Sequence, residues 1–453
     1  MPDSQKRPLA QEALAVLIDS INEDRESSYP MNAVTRLVVD VNERALRQDL
    51  SGVGALNGWV SLVKECIPCG PDFRASAGSV VLEDVAHAAE APIVESLRNA
   101  GCLVAGQAAM SEWSGMRSTS IPSGWSSASG QVRNPRLFGS SPWGSSSGSA
   151  AAVAAGWVRL AIGTDTSGSV TLPAAANGIV GMRPTQAGRS LDGAIGISRR
   201  QDRPGFLTRD VQDLATFWEA FSSRKVPRWR GATRIALVDV GSESIVRMAV
   251  LDWKKELASR SWVVREVDSD SIRKFCVAPN ELDVLTDEFA RELKKLVRVL
   301  GDQINCSTTI EFLDKIKSEP REFWDVLGGD IFETACNGSR MSESQLLNAQ
   351  SNLERGAQTV LSAIADKGDT HAIAFVVPLT AWRIDEFGLA GRDPDCIYPT
   401  IAPCVASWPQ VCVPIAVEGP PVGVVLAMPP GRDDEVIALA LEIITREENH
   451  VKQ

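Results

Sequence analysis

The residues with the most chemical potential lie in one short turn, Gly163-Thr164-Asp165-Thr166-Ser167-Gly168-Ser169. A tight turn built on Gly168 can gather consecutive backbone N–H groups around one point. That geometry stabilises the oxyanion of an acyl-transfer intermediate, and a serine at its end is positioned to attack. Read locally, the same residues also suit a turn that does nothing but turn. Composition constrains the proton carrier such a serine would need. Only three histidines, His87, His371 and His450, occur in 453 residues, so little imidazole is available for a Ser-His-Asp arrangement, and a lysine or a carboxylate becomes the leading candidate. The nine cysteines are an odd number, scattered from Cys66 to Cys412, as expected of reduced thiols rather than a disulfide framework. The close pair Cys66-Ile67-Pro68-Cys69 has no second pair or nearby histidine, so no metal site is expected. No cofactor is expected either, because there is no P-loop and Gly52-Val53-Gly54-Ala55-Leu56-Asn57 fails the dinucleotide fingerprint at its last position.

The elements that must hold this turn can be read around it. Ser118–Ser149 is dominated by Ser, Gly and Pro, interrupted by Trp125, Phe138 and Trp143, and passes into an Ala-rich helix over Ser149–Gly156 and a strand over Trp157–Ile162. A Gly/Ser loop entering a helix start exposes backbone N–H groups that favour negative charge. Helical periodicity is clear over 8–25, 279–301, 343–367 and 433–447, while Thr233–Asp239, Ile373–Val377 and Val422–Met428 read as interior strands. Interspersed helices and strands predict a layered α/β architecture with a covered sheet. Hydrophobic residues make up 44% and charged residues 23%, the balance of a globular protein. The net charge of −11 supplies no positive field for nucleic acid. The N-terminus lacks the pattern of a secretory signal and no apolar run reaches the length of a membrane span. A cytoplasmic protein is expected.

Three longer segments carry a family resemblance. Gly144-Ser145-Ser146-Ser147-Gly148-Ser149 with the following Ala run, then Gly163–Ser169, then Pro173–Thr185, resemble the signature block of the amidase signature family. Upstream, Gly58–Ile67 resembles the family segment that carries a catalytic lysine, and Leu97–Gly106 the helix-strand unit after it. Downstream, Arg203–Leu214 and Pro420–Met428 match in pattern, so the resemblance runs from about residue 30 onward and is weakest over about 215–370. The resemblance implies a large mixed β-sheet sandwiched between helices, with residues 1–29 as an N-terminal helical segment, 30–453 as a single amidase-like domain, and a variable helical region over about 215–370. It also implies a Ser-Ser-Lys triad: Ser169 as nucleophile, Ser145 after a cis peptide bond as the bridging serine, and Lys64 as base. The N–H groups of Thr166, Ser167, Gly168 and Ser169 become the oxyanion hole. On composition alone Lys64 would be a solvated surface lysine. As a base it must be neutral, which burial among hydroxyls can achieve by lowering its pKa from about 10.4.

Several positions depart from the family pattern. Ser147 and Ser167 stand where Gly is usual, Thr171 replaces a frequent Arg, and Gln107 and Ala109 replace Lys and Asn. Asp165 reads as an organiser of the turn, and Trp113, Trp125 and Trp143 as packing. The expected function is hydrolysis of a small-molecule amide through an acyl-enzyme, with Ser114, Gly115 and Met116 as candidates for the pocket wall. Two alternatives stand beside it. One is an acyltransferase or condensation enzyme. The other is a non-catalytic amidase-like protein that binds a ligand or serves in an amidotransferase complex. The oligomeric state, a homodimer included, is left open.

Overall fold

The computed structural model describes residues 9–69, 74–86, 89–185, 190–230, 233–276, 280–365, 370–378, 380–381, 383–384, 398–415 and 419–444. His87, Cys396, His450 and the expected helix ends at 8, 279, 366–367 and 445–447 lie outside these residues. The strands in chain order are β1 (Val34–Leu37), β2 (Val60–Lys64), β3 (Leu103–Ala108), β4 (Trp125–Ser126), β5 (Gly130–Gln131), β6 (Leu160–Asp165), β7 (Val180–Arg183), β8 (Arg203–Thr208), β9 (Arg234–Val238), β10 (Val263–Glu266), β11 (Ala372–Val376), β12 (Gln410–Pro414) and β13 (Gly423–Ala427). Eleven of them form one mixed sheet in the order β1-β3-β2-β6-β8-β7-β12-β13-β11-β9-β10, and β4 and β5 make a separate hairpin. β2 runs parallel to both β3 and β6, whereas β8 pairs antiparallel with β6 and β7.

The central strands are buried along their whole length, β2, β3 and β6 among them. A strand covered on both faces has no polar side to present, so it reads as a short apolar run without alternation. The four periodic segments form the helices Ala10–Glu26, Asn280–Ile304, Glu343–Ala365 and Asp433–Ile444. The N-terminal helix does not stand apart from the rest. Its Leu14, Leu17 and Ile21 join the main core, and its Ala10 N–H donates to Asp49 Oδ1 at 2.7 Å. The strand expected from Trp157 begins later, at Leu160, because the preceding helix is still closing there: Trp157 N–H donates to Ala152 O and Gly156 turns the chain at φ 78°.

Candidate active site

Lys64 is the last residue of β2 and is completely buried. Its Nζ lies 2.8 Å from Ser145 Oγ, 2.8 Å from Thr164 Oγ1 and 3.3 Å from Ser114 Oγ. These contacts join residues 81, 100 and 50 positions away in the chain. No carboxylate is in hydrogen-bonding contact with the amine among the described residues. Burial therefore dominates and holds the Lys64 pKa below the ordinary lysine value, against the weaker pull of acidic neighbours, Asp202 and Asp165 among them. A neutral amine has two N–H groups and one lone pair, so two hydroxyls can accept from it while the third donates to it. The hydroxyl that donates is the one whose proton the amine can take.

Ser145 follows a cis peptide bond from Gly144. Its carbonyl accepts from Ser111 N–H at 3.0 Å. The next residue locks this loop to β6: Ser146 Oγ donates to Thr164 O at 3.2 Å and accepts from Thr164 N–H at 3.3 Å. The Ser146 side chain occupies the space beside Gly163, where a Cβ would lie 2.4 Å from Ser146 Oγ. A side chain at 163 would require Ser146 to shift. At Gly144 a Cβ would lie 2.2 Å from Ser111 Oγ, so that position is closed as well.

β6 ends at Asp165 and the chain turns through residues 166–170 into the helix Thr171–Asn177. Asp165 is buried and organises the turn: Oδ1 accepts from Gly168 N–H at 2.9 Å and Oδ2 from Val170 N–H at 2.7 Å. Arg183 Nε stands 3.4 Å from Oδ1. The Gly168 N–H expected in the oxyanion hole is thus committed to a carboxylate. The N–H groups of Thr166, Ser167 and Ser169 donate to nothing among the described residues. Gly168 supplies conformation instead, with φ 114°. Neither Ser147 nor Ser167 adopts a positive φ, so both accept a Cβ in place of the family glycine without left-handed strain.

Ser145 and Ser169 line one cavity of about 390 Å³, together with Ser114, Gly115, Met116, Thr166 and Ser167. Ser146 N–H donates to Ser169 O at 3.1 Å, which ties the nucleophile candidate to the Ser145 loop through the backbone. No hydrogen bond joins the Ser145 and Ser169 hydroxyls themselves among the described residues. The structure thus brings Lys64 and Ser145 into contact and sets Ser169 on the same cavity wall. Such contacts are often long in an unliganded site and tighten around substrate.

Sequence reasoning alone does not single out Thr164 as a partner of Lys64. Alternation gives no signal for it, since the parallel pairing Val63↔Ile162 sets Lys64 opposite Gly163, one residue short of Thr164. Glu281, on the helix Asn280–Ile304, escapes it as well, although it too lines the cavity. Of the departures, Ser167 Oγ donates to Glu281 Oε1 at 2.6 Å, whereas Ser147 Oγ and Thr171 Oγ1 are buried with no partner among the described residues. Trp113 packs on Phe332 and Phe312, Trp125 on Phe323 and Trp143 on Tyr398. None of the three tryptophans is among the lining residues. His371 is away from the site, its Nδ1 accepting from Arg234 N–H at 3.0 Å. The described cysteines are free thiols, and the described residues hold no group of three metal-ligating side chains.

Beside Lys64, the Glu65 carboxyl is buried with Oε1 lacking a donor, and burial pushes its pKa up to about 7. A carboxyl that binds its proton more tightly folded than unfolded contributes full stability below pH 4.5, and that contribution is lost as pH rises to about 7. Glu65→Gln, which cannot ionise, is expected to exceed the wild type in stability by about 3 kcal/mol at pH 9, with the difference closing toward pH 5. Urea unfolding at the two pH values measures it, and a pH-independent difference rules the assignment out.

Comparison with known proteins places these features in context. The family described as Amidase matches residues 25–437. A glutamyl-tRNA(Gln) amidotransferase subunit from Symbiobacterium thermophilum is 32% identical over 418 residues, which cover 86% of this chain and 82% of that one. A probable amidase of Arabidopsis thaliana is 33% identical over 228 residues, 48% of this chain and 43% of its own length. Among solved structures, native peptide amidase from Stenotrophomonas maltophilia superposes with a TM-score of 0.84 at 26% identity, covering 97% of this chain and 94% of that one. A 6-aminohexanoate cyclic dimer hydrolase shares the fold, with a TM-score of 0.75 at 20% identity over 96% of this chain and 93% of that one. No helix among the described residues is long and apolar enough to cross a membrane.

Proposed function

The chain belongs to the amidase family, and on that premise we propose that it hydrolyses a C–N amide bond of a small molecule through an acyl-enzyme on Ser169. One observation carries this reading: a wholly buried lysine, Lys64, whose direct partners are hydroxyls and which touches Ser145. Neutral Lys64 takes the proton of Ser145 while Ser145 takes that of Ser169, and Ser169 Oγ forms its bond to the amide carbon. The carbonyl oxygen gains the negative charge and is met by the N–H groups of Thr166, Ser167 and Ser169. As the C–N bond breaks, the proton returns from Lys64 through Ser145 to the leaving nitrogen. Water, deprotonated by the same relay, then cleaves the ester and releases the acid. Burial lowers the Lys64 pKa and so favours the neutral amine that the relay needs.

A fluorophosphonate should form one adduct, at Ser169. Because the neutral amine is the active form, the labelling rate should climb as pH rises through the lowered Lys64 pKa. Peptide mapping and a rate profile from pH 6 to 9 test both points, and an adduct elsewhere or a flat profile counts against the reading. The amidotransferase relative favours a second reading, in which an acceptor other than water takes the acyl group. Acylation of Ser169 without turnover of any simple amide, restored by added hydroxylamine, would select it.

A further inference from the structure

Glu281 is the one charged side chain among the described residues that line the cavity holding Ser145 and Ser169. It is half-buried at the cavity wall. Ser167 Oγ and Gln201 Nε2 both donate to its Oε1, at 2.6 and 2.8 Å, so the carboxylate is held in one orientation by a residue two positions from the nucleophile. Oε2 receives no hydrogen bond, and the group has no ion pair among the described residues. Arg200 and Arg183 act on its charge through space, but each has its close carboxylate contact elsewhere, Arg183 Nε 3.4 Å from Asp165 and Arg200 Nε 3.7 Å from Glu288. Burial raises the pKa of Glu281 against the opposing pull of Ser167, Gln201, Arg200 and Arg183.

A second feature points the same way. Thr119, Leu282 and Ile331 line both this cavity and a second one of about 400 Å³, so the two adjoin. The outer cavity is lined by Asp283, Asp287 and Asp330 against the single cation Arg340. Asp287 is paired with Arg291, and Asp330 accepts from Thr119, but the lining still carries more negative than positive charge. Like-signed charges along a partly enclosed path raise the local concentration of the opposite charge.

We propose that this cavity selects amides carrying a primary ammonium group, with Glu281 Oε2 as the anchor for that cation and the carboxylates of the outer cavity steering it inward. The inference deepens the proposed hydrolysis and rests on it for turnover, but not for binding. An ammonium in contact with Oε2 completes the carboxylate's hydrogen bonding with a charge-assisted donor, whereas an alkyl, hydroxyl or carboxylate end leaves it incomplete or repels it. Ser167, where the family has Gly, contributes the hydroxyl that holds the anchor in place.

Calorimetric titration of the full chain with pentylammonium, pentan-1-ol and pentanoate tests the subsite without turnover. Pentylammonium should bind at least about tenfold more tightly than pentanol, and pentanoate more weakly than either. In Glu281→Gln the ammonium and alcohol should converge to within about twofold. Equal binding of ammonium and alcohol by the wild type overturns the proposal, and so does a cation preference that survives in Glu281→Gln. The wild-type comparison decides on its own should the variant not fold. The ratio of kcat/KM for an ω-aminoacyl p-nitroanilide to that for its des-amino analogue then separates the two readings. Cation-selective binding with neither anilide cleaved sinks the hydrolase reading and leaves the subsite standing. Equal cleavage of both does the reverse.

Discussion

Lys64→Met is expected to lower kcat/KM by about 10⁴-fold or more on any amide the wild type cleaves, with the fold retained. Methionine fills a similar volume in the buried site, so packing against β6 is kept while the proton acceptor is removed. Ser145→Ala should cost a comparable factor because it cuts the relay between the amine and Ser169. The double variant should cost little more than either single one, since residues that act as a unit are strongly non-additive. Lys64→Arg is the informative control. It supplies a fixed positive charge and comparable bulk, yet a guanidinium stays protonated and cannot serve as a neutral base, so it should be as inactive as methionine. Steady-state kinetics beside a thermal melt of each variant measure this. Activity in Lys64→Arg above a few per cent of wild type would mean that Lys64 contributes charge or packing rather than a lone pair.

Arg117→Met is expected to destabilise the protein by about 3–5 kcal/mol, the loss typical of a buried charge left without its partner. Arg117 is fully buried, with Nη1 2.7 Å from Glu112 Oε1 and 3.1 Å from Glu322 Oε2. It also donates through Nη2 to Glu322 O at 2.5 Å and through Nε to Gly328 O at 3.0 Å. Burial and the neighbouring Glu322 carboxylate already push the Glu112 pKa well up. Without the guanidinium Glu112 must hold its proton to stay buried. The folded state then binds more protons than the unfolded one, and the deficit should widen as pH rises from 5 to 8. Denaturant unfolding at both pH values checks the sign, and a loss under about 1 kcal/mol at pH 8 would contradict it. The cluster also reaches the site, because Glu112–Gly115 is the turn that carries Ser114 to Lys64. Arg117→Met should therefore slow Ser169 labelling in proportion to the fraction unfolded, and further if the turn loosens first.

Much of the candidate site could be read in the chain because its parts are short, local and rich in unusual residues. The turn Gly163–Ser169 and the loop Gly144–Ser149 show as Gly/Ser clusters around one Ala-rich helix, and the shortage of histidine turns attention to lysine or a carboxylate. The periodic helices are legible for the same local reason: a stripe repeating every 3.6 residues needs only one covered face. What could not be read depends on residues far apart in the chain. Glu281 looks like one acidic residue in a charged helix, and only folding brings it to Ser167, 114 positions away. Arg117, Glu112 and Glu322 likewise read as surface charges until the chain between them closes.

The residues themselves determined which groups could react, which strands would be interior, and that a lysine or a carboxylate was the leading proton carrier in a chain so poor in histidine, because side-chain chemistry and local periodicity are properties of the covalent chain. Only the tertiary structure decided that Lys64 is dry and surrounded by Ser145, Thr164 and Ser114, that Gly168 gives its N–H to Asp165 rather than to an oxyanion, and that a carboxylate faces the cavity. Burial and hydrogen-bond partnership depend on what packs alongside, and desolvation is what changes a lysine from a solvated cation into a base.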